Sequence, residues 1–295
     1  MSYWVELLDC ETRFLKGRYR TRVLEAGDGF PVVLLHGMGG HLENFVNNIP
    51  AYAEHLRIVA MDFLWHGRSQ TQDFDNQVLP PLVDQVRDVL DTLNLQRVHL
   101  EGQSLGGWVA ALFALKYPER VEKLVLTTAT GYVPDDGAIP GYKRPNAAAT
   151  VDQALAVFDD PSDANIRRRL ELVVFDGSLI TDEAVALRAK IYRDPAVNRV
   201  LREVMRNYLA GEGPARHSIT DSLARQVSRP TLVYWGDKNR PGPEVARRLA
   251  AMIPGAKYHC ALDTGHWAQF EHYEEHNRTV LDFLLNRGWA QWISE

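Results

Sequence analysis

Apolar runs and helical periods alternate along the first half of the chain. Residues 12–25 read as two short strands joined by a turn near Lys16–Gly17. Pro31–His36 (PVVLLH) and Arg57–Asp62 (RIVAMD) are nearly unbroken apolar runs, the pattern of strands buried on both faces. Leu82, Val83, Val86, Val89, Leu90 and Leu93 recur at a helical period. Arg97–Glu101 is a further strand. The Ala- and Leu-rich stretch Leu105–Tyr117 is a helix that Pro118 would stop, and Val121–Thr127 is strand again. Strands alternating with helices specify parallel βαβ units, and so an α/β fold with a doubly wound, mostly parallel sheet.

The rhythm changes at Gly131. From there to about Arg229 helical stretches dominate, at Val151–Phe158, Asn165–Val174, Asp182–Tyr192 and Val197–Leu209. Arg229–Pro230 then opens a strand, Thr231–Trp235. A helix follows near Glu244–Met252, a strand at Ala256–Ala261 and a last helix near Glu274–Leu285. The simplest organisation is one α/β core, residues 1–130 and 230–295, interrupted after the sixth strand by a helical lid over 131–229. Tyr132, Tyr142, Phe158, Phe175, Tyr192 and Tyr208 would line an apolar pocket there or simply form the lid's own core.

Composition narrows the function classes. With 45% hydrophobic and 24% charged residues, the 295-residue chain is neither disordered, collagen-like nor a coiled coil. Its net charge of −5 argues against a nucleic-acid partner, whose phosphates need clustered cations. Cys10 and Cys260 make neither a disulfide framework nor a zinc spacing. No basic-then-apolar leader and no run of membrane-spanning length is present. The expectation is a cytoplasmic protein acting on a small molecule, without a metal or a membrane.

Three segments carry chemistry. Gly102-Gln103-Ser104-Leu105-Gly106 fits G-x-S-x-G between a strand and a helix, the setting in which a sharp turn exposes a serine nucleophile. His36-Gly37-Met38-Gly39-Gly40 follows the first central strand. Its Met38 N–H, with Gly39 close by, would join the Leu105 N–H as donors to an oxyanion. Gly265-His266-Trp267 follows the last strand and offers His266 as the base. A rival pattern, His272-Tyr273-Glu274-Glu275-His276, fits the zinc-peptidase H-x-x-E-H, but reads more simply as the polar start of the last helix.

These residues, in the order Ser104 then acid then His266, resemble the α/β-hydrolase fold over nearly the whole chain. Three stretches resemble the meta-cleavage product hydrolases, which cut C–C bonds in ring-fission products of catechols. Gly265–His272 (GHWAQFEH) is similar to that family's GHWAQWEH. Ser178–Glu183 with Arg188 resembles its lid segment, and Ser104-Leu105-Gly106-Gly107 its elbow. The resemblance implies a cofactor-free serine hydrolase cleaving 2-hydroxy-6-oxohexa-2,4-dienoates. Arg188 would bind the substrate carboxylate and Trp267 would pack on the dienoate. Asn44 would match an asparagine of the oxyanion-side loop, and Gln103 would stand where an asparagine is usual. Family members often associate, and the oligomeric state stays open. The alternative is a carboxylesterase or lactonase on small apolar esters; a non-catalytic binder is the third reading.

Two departures stand out. The family's acid lies three residues after a glycine, but Gly236-Asp237-Lys238-Asn239 places Asn239 there. Asp237 is the favoured partner for His266, Asn239 its rival and Asp263 a third candidate. Asp62–Ser69 (DFLWHGRS) resembles D-x-x-G-x-G-x-S with Trp65 at the first glycine, so this ring either alters a wall of the site or packs beneath the lid.

Overall fold

Eight strands form one sheet in the order β1-β2-β4-β3-β5-β6-β7-β8. They are β1 Glu11–Lys16, β2 Arg20–Ala26, β3 Pro31–Leu35, β4 Arg57–Met61, β5 Val98–Gln103, β6 Val121–Thr127, β7 Thr231–Gly236 and β8 Lys257–Ala261. The hairpin β1–β2 and the β2–β4 pair are antiparallel, and every other pair is parallel. This computed structural model describes residues 2–71, 74–137, 147–210 and 215–287. Tyr142 lies outside them.

The central strands follow from their composition. β4, β5, β6 and β7 are buried along nearly their whole length, because helices cover both faces of the sheet. Leu79–Thr92 and Leu105–Lys116 pack on one face with the largest core cluster. Ile49–Ala53 and Tyr273–Leu284 pack on the other. Leu105–Lys116 is apolar almost all round, as befits a helix buried against β5 and β6.

Between β6 and β7 the chain leaves the sheet. Helices Ala147–Asp159, Asp163–Glu171, Asp182–Tyr192 and Pro195–Ala210 bury a cluster of their own. The exit and return pair at Tyr132 and Ile219. There Asp221 accepts from the Tyr132 hydroxyl and from Arg248 at 2.6 Å, clamping both crossings to the core. Two aromatic residues after β8, Trp267 and Phe270, stack with centroids 4.4 Å apart inside the lid cluster. Such a pair contributes about 0.5–1.5 kcal/mol beyond its buried area.

One detail was not expected from the sequence. A short helix, Tyr3–Glu6, packs Tyr3 against the lid, and Glu183 on the lid accepts from Ser2 Oγ and the Tyr3 N–H, both at 3.0 Å. Trp65 does not reach the catalytic pocket. It is 1% exposed, lies edge-on to Phe74 and has φ +68°, the left-handed conformation that a glycine would adopt at lower cost. Among the described residues no helix is long and apolar enough to cross a membrane.

Candidate active site

Ser104 sits where β5 passes into the Leu105–Lys116 helix, with φ +56° and ψ −117°. That strain, of order 1–3 kcal/mol, is held by three backbone bonds. The Ser104 N–H donates to Thr127 O at 3.1 Å, and Ser104 O accepts from Trp108 and Thr130 N–H at 3.2 and 3.1 Å. Gly106 explains the second glycine of the motif. A Cβ there would stand 2.0 Å from Leu35 O, so no larger residue lets the elbow close on β3.

His266 lies in the loop after β8. Its Nε2 is 2.9 Å from Ser104 Oγ and its Nδ1 is 2.9 Å from Asn239 Oδ1. Because Oδ1 is only an acceptor, Nδ1 carries the proton and Nε2 is left to accept the serine hydroxyl, the tautomer a general base needs. The loop is bonded on every side. His266 O accepts from Gln103 Nε2 at 2.9 Å and Thr128 Oγ1 at 2.7 Å, and the His266 N–H donates to Val173 O of the lid at 3.0 Å. The Glu271 carboxylate accepts from the Gly265, Trp267 and Phe175 N–H groups.

The expectation that Asp237 would partner His266 is corrected. Asn239 N–H donates to Gly236 O at 3.1 Å, and this turn carries residue 239, not 237, to the imidazole. The Asp237 carboxylate points away, accepting from Thr264 N–H at 3.1 Å and from Lys238. Burial works against its charge, but these bonds hold its pKa below the ordinary carboxylate range. Asp263 is exposed and pairs with Lys238 at 3.2 Å. His266 therefore faces a neutral amide. Burial, and then the charge on Arg169, lower its pKa to about 4.

Asn239→Asp is expected to reverse part of this shift. A carboxylate at hydrogen-bond distance favours the imidazolium and raises the His266 pKa by about 1–3 units. For His266 acting as the base the neutral ring is the working form, so kcat/KM would be present above this pKa and lost as pH falls through it. The acid limb of the kcat/KM profile, expected near pH 4 for the natural protein from this lowered pKa, should move upward in the variant. An unmoved limb would mean that the Asn239 contact does not govern the imidazole.

The helix N-terminus leaves the Leu105 N–H without an intrahelical partner beside Ser104. Met38 lines the same pocket. Gly39 also ties this loop to the lid. With φ +71° it turns its carbonyl to the lid, accepting from Tyr192 Oη at 3.0 Å, and a Cβ there would meet that hydroxyl at 2.4 Å. His36, fully buried, bridges this loop to the next, with Nδ1 on Gly37 O at 2.8 Å and Nε2 accepting from Phe63 N–H at 3.0 Å. Burial holds its pKa far below the usual value, so it is a neutral strut.

Ser104 and His266 open into a cavity of about 580 Å³ under the lid, within the range of small-molecule sites. Arg188, 7% exposed, lines it. Its Nη2 donates to Asn44 Oδ1 at 3.2 Å, its Nε has no partner, and among the described residues no carboxylate lies within ion-pair distance. Trp267 lines the cavity with its Nε1 unpartnered. Gln103 spends its amide on His266 O and Thr128, so it positions the loop as well as facing the cavity. Glu271 and Arg169 were not foreseen: the first sits inside a recognised stretch without a recognised task, and the second reads as one of three consecutive lid arginines. The H-x-x-E-H rings do not converge. His272 is exposed, whereas His276 is buried between Tyr52 and Thr127.

The α/β hydrolase fold family model matches residues 31–273. The 2-hydroxy-6-oxo-6-phenylhexa-2,4-dienoate hydrolase of Burkholderia cepacia is 33% identical over 276 residues, 91% of this chain and 92% of its own. A 2-hydroxy-6-oxononadienedioate/2-hydroxy-6-oxononatrienedioate hydrolase of Comamonas testosteroni is 32% identical over 283 residues, with 91% and 92% covered. Among solved structures, a meta-cleavage product hydrolase of Pseudomonas fluorescens IP01 superposes with a TM-score of 0.79 at 26% identity, over 95% of this chain and 100% of that one. The chain thus belongs to the α/β-hydrolase fold family and, within it, to the meta-cleavage product hydrolases.

Proposed function

We infer that the protein is a serine hydrolase that cleaves the C–C bond next to the ketone of a 2-hydroxy-6-oxohexa-2,4-dienoate. One observation carries this over an ordinary esterase: a buried, acid-free arginine, Arg188, shares one cavity with the Ser104–His266 pair. An uncharged ester does not need that cation. A dienoate carboxylate matches its fork of donors.

The reaction runs in two halves. The enol proton moves to C5 with His266 assisting, which gives the keto form. Ser104 Oγ, losing its proton to His266 Nε2, adds to C6, and the Leu105 and Met38 N–H groups hold the oxyanion. Collapse breaks C5–C6. The electron pair delocalises onto the C2 oxygen, which is protonated to release 2-hydroxypenta-2,4-dienoate. Water, deprotonated by His266, then frees the acid from Ser104. Arg188 and Asn44 hold the carboxylate, with Trp267 against the diene. No cofactor takes part. The same reading places the enzyme in the cytoplasm, where the unbridged thiols of Cys10 and Cys260 stay reduced.

The conjugated substrates are yellow, so purified protein should bleach a panel of catechol ring-fission products. Fast turnover of nitrophenyl esters with no bleaching would move the assignment to a carboxylesterase or lactonase.

A further inference from the structure

The backbone of His266 is held on its two sides by different parts of the molecule. Its carbonyl is fixed by the core, through Gln103 Nε2 and Thr128 Oγ1. Its N–H is fixed by the lid, donating to Val173 O at 3.0 Å, and the Trp267 N–H donates to the same oxygen at 3.0 Å. One side chain ties the two parts together. Glu271, 7% exposed on the short helix Ala268–Glu271, takes the Trp267 N–H on Oε1 at 3.1 Å. Its Oε2 takes the Gly265 N–H of the histidine loop at 2.9 Å and the Phe175 N–H of the lid at 2.6 Å. Gly265 permits this approach: a Cβ there would stand 2.6 Å from Phe175 N and 2.9 Å from Val174 C.

The donor set calls for a carboxylate. All three partners are N–H groups, so both oxygens must accept. Glu271 forms no ion pair among the described residues. Burial raises its pKa, and the three N–H bonds pull it back. The imidazole needs such support more than most. Its Nδ1 partner is the neutral amide of Asn239, and a neutral hydrogen bond holds a ring about half as firmly as a charge-assisted one. More of the alignment on Ser104 therefore falls to the backbone on either side of His266.

We propose that Glu271 is a positioning residue for the base. By fastening the lid segment Val173–Phe175 to the histidine loop, it sets His266 in line with Ser104. The lid thereby serves the chemical step as well as enclosing the substrate. Glu271 itself touches neither substrate nor reacting atoms; its effect passes through the backbone of His266. The proposal rests on the serine–histidine half of the reading above, and not on which bond is cleaved.

Glu271→Gln tests it, because glutamine keeps the shape but leaves one acceptor oxygen for three donors. At a temperature where circular dichroism shows both proteins folded, kcat should fall by about 30- to 100-fold on a dienoate and on a nitrophenyl ester alike, with KM within about threefold. Inactivation of Ser104 by a fluorophosphonate reads the Ser104–His266 pair without a dienoate, and should slow by a similar factor. A merely structural role gives another result: a lower Tm with kcat intact, or a raised dienoate KM as Arg188 and Trp267 shift. Either one overturns the proposal. Phe175→Pro and Phe175→Ala both keep the carboxylate and both lose the ring, but only proline loses the lid N–H. The proline variant should have a kcat about tenfold below that of the alanine variant. Equal values overturn the lid coupling, and decide the matter if Glu271→Gln does not fold. If no dienoate is bleached, yet the fluorophosphonate labels the natural protein fast and Glu271→Gln slowly, the C–C hydrolase reading falls and Glu271 keeps its role.

Discussion

Ser104→Ala is expected to lower kcat/KM for C–C cleavage by about 10⁴- to 10⁶-fold while a yellow substrate still binds. In the proposed mechanism nucleophilic attack is the step that only this hydroxyl performs, and its 2.9 Å bond to His266 Nε2 is the route by which its proton would leave. Alanine keeps the φ of +56° at the same strain cost, and the bonds that hold the elbow use backbone atoms only. The fold should therefore persist, with an unchanged circular dichroism spectrum. Stopped-flow absorbance separates the outcomes. A substrate band that shifts on mixing and then does not decay is the expected trace. Residual bleaching above about one part in a hundred would point to a water attacking directly, with His266 as its base.

Arg188→Ala is expected to raise KM for dienoates by about 30- to 1,000-fold, with a far smaller change on an uncharged nitrophenyl ester. The range follows from losing a desolvated, charge-assisted pair, about 2–4 kcal/mol. Arg188 makes its one side-chain bond to Asn44 Oδ1 at 3.2 Å and leaves Nε unsatisfied, so its donors are available to a carboxylate in the cavity. Arg188→Lys should rescue only in part, because a single ammonium cannot reproduce the planar fork. Steady-state kinetics on a dienoate and an ester decide it. Equal losses on both would assign Arg188 to the fold of the lid, and an unchanged KM for the dienoate would remove it from the binding site.

The physics of the sheet explains why so much of the core could be read in advance. A strand buried on both faces needs a run of apolar residues, and that run is local: Val121–Thr127 was recognised at its observed ends. The elbow is local too, since a sharp strand-to-helix turn demands small residues at 102 and 106 whatever surrounds them. His266 followed from its place after the last strand. The lid helices were legible as helices, but not the work of their faces. Arg167, Arg168 and Arg169 look alike in a row, and only the position of the helix over the cavity turns the third inward.

By itself, then, the sequence determined the α/β sheet, the insertion after its sixth strand, the serine and the histidine, because each is dictated by residues close together in the chain. Tertiary structure decided which residue meets the imidazole. Asp237 and Asn239 are two positions apart, and the sense of one turn after β7 sends the amide to His266 and the carboxylate to Thr264 N–H and Lys238. It also decided that Glu271 pins the histidine loop to the lid, and that two arginines from different lid helices face one cavity. A hydrogen-bond partner or the charge balance of a pocket depends on segments distant in the chain, and local pattern holds no record of how those segments meet.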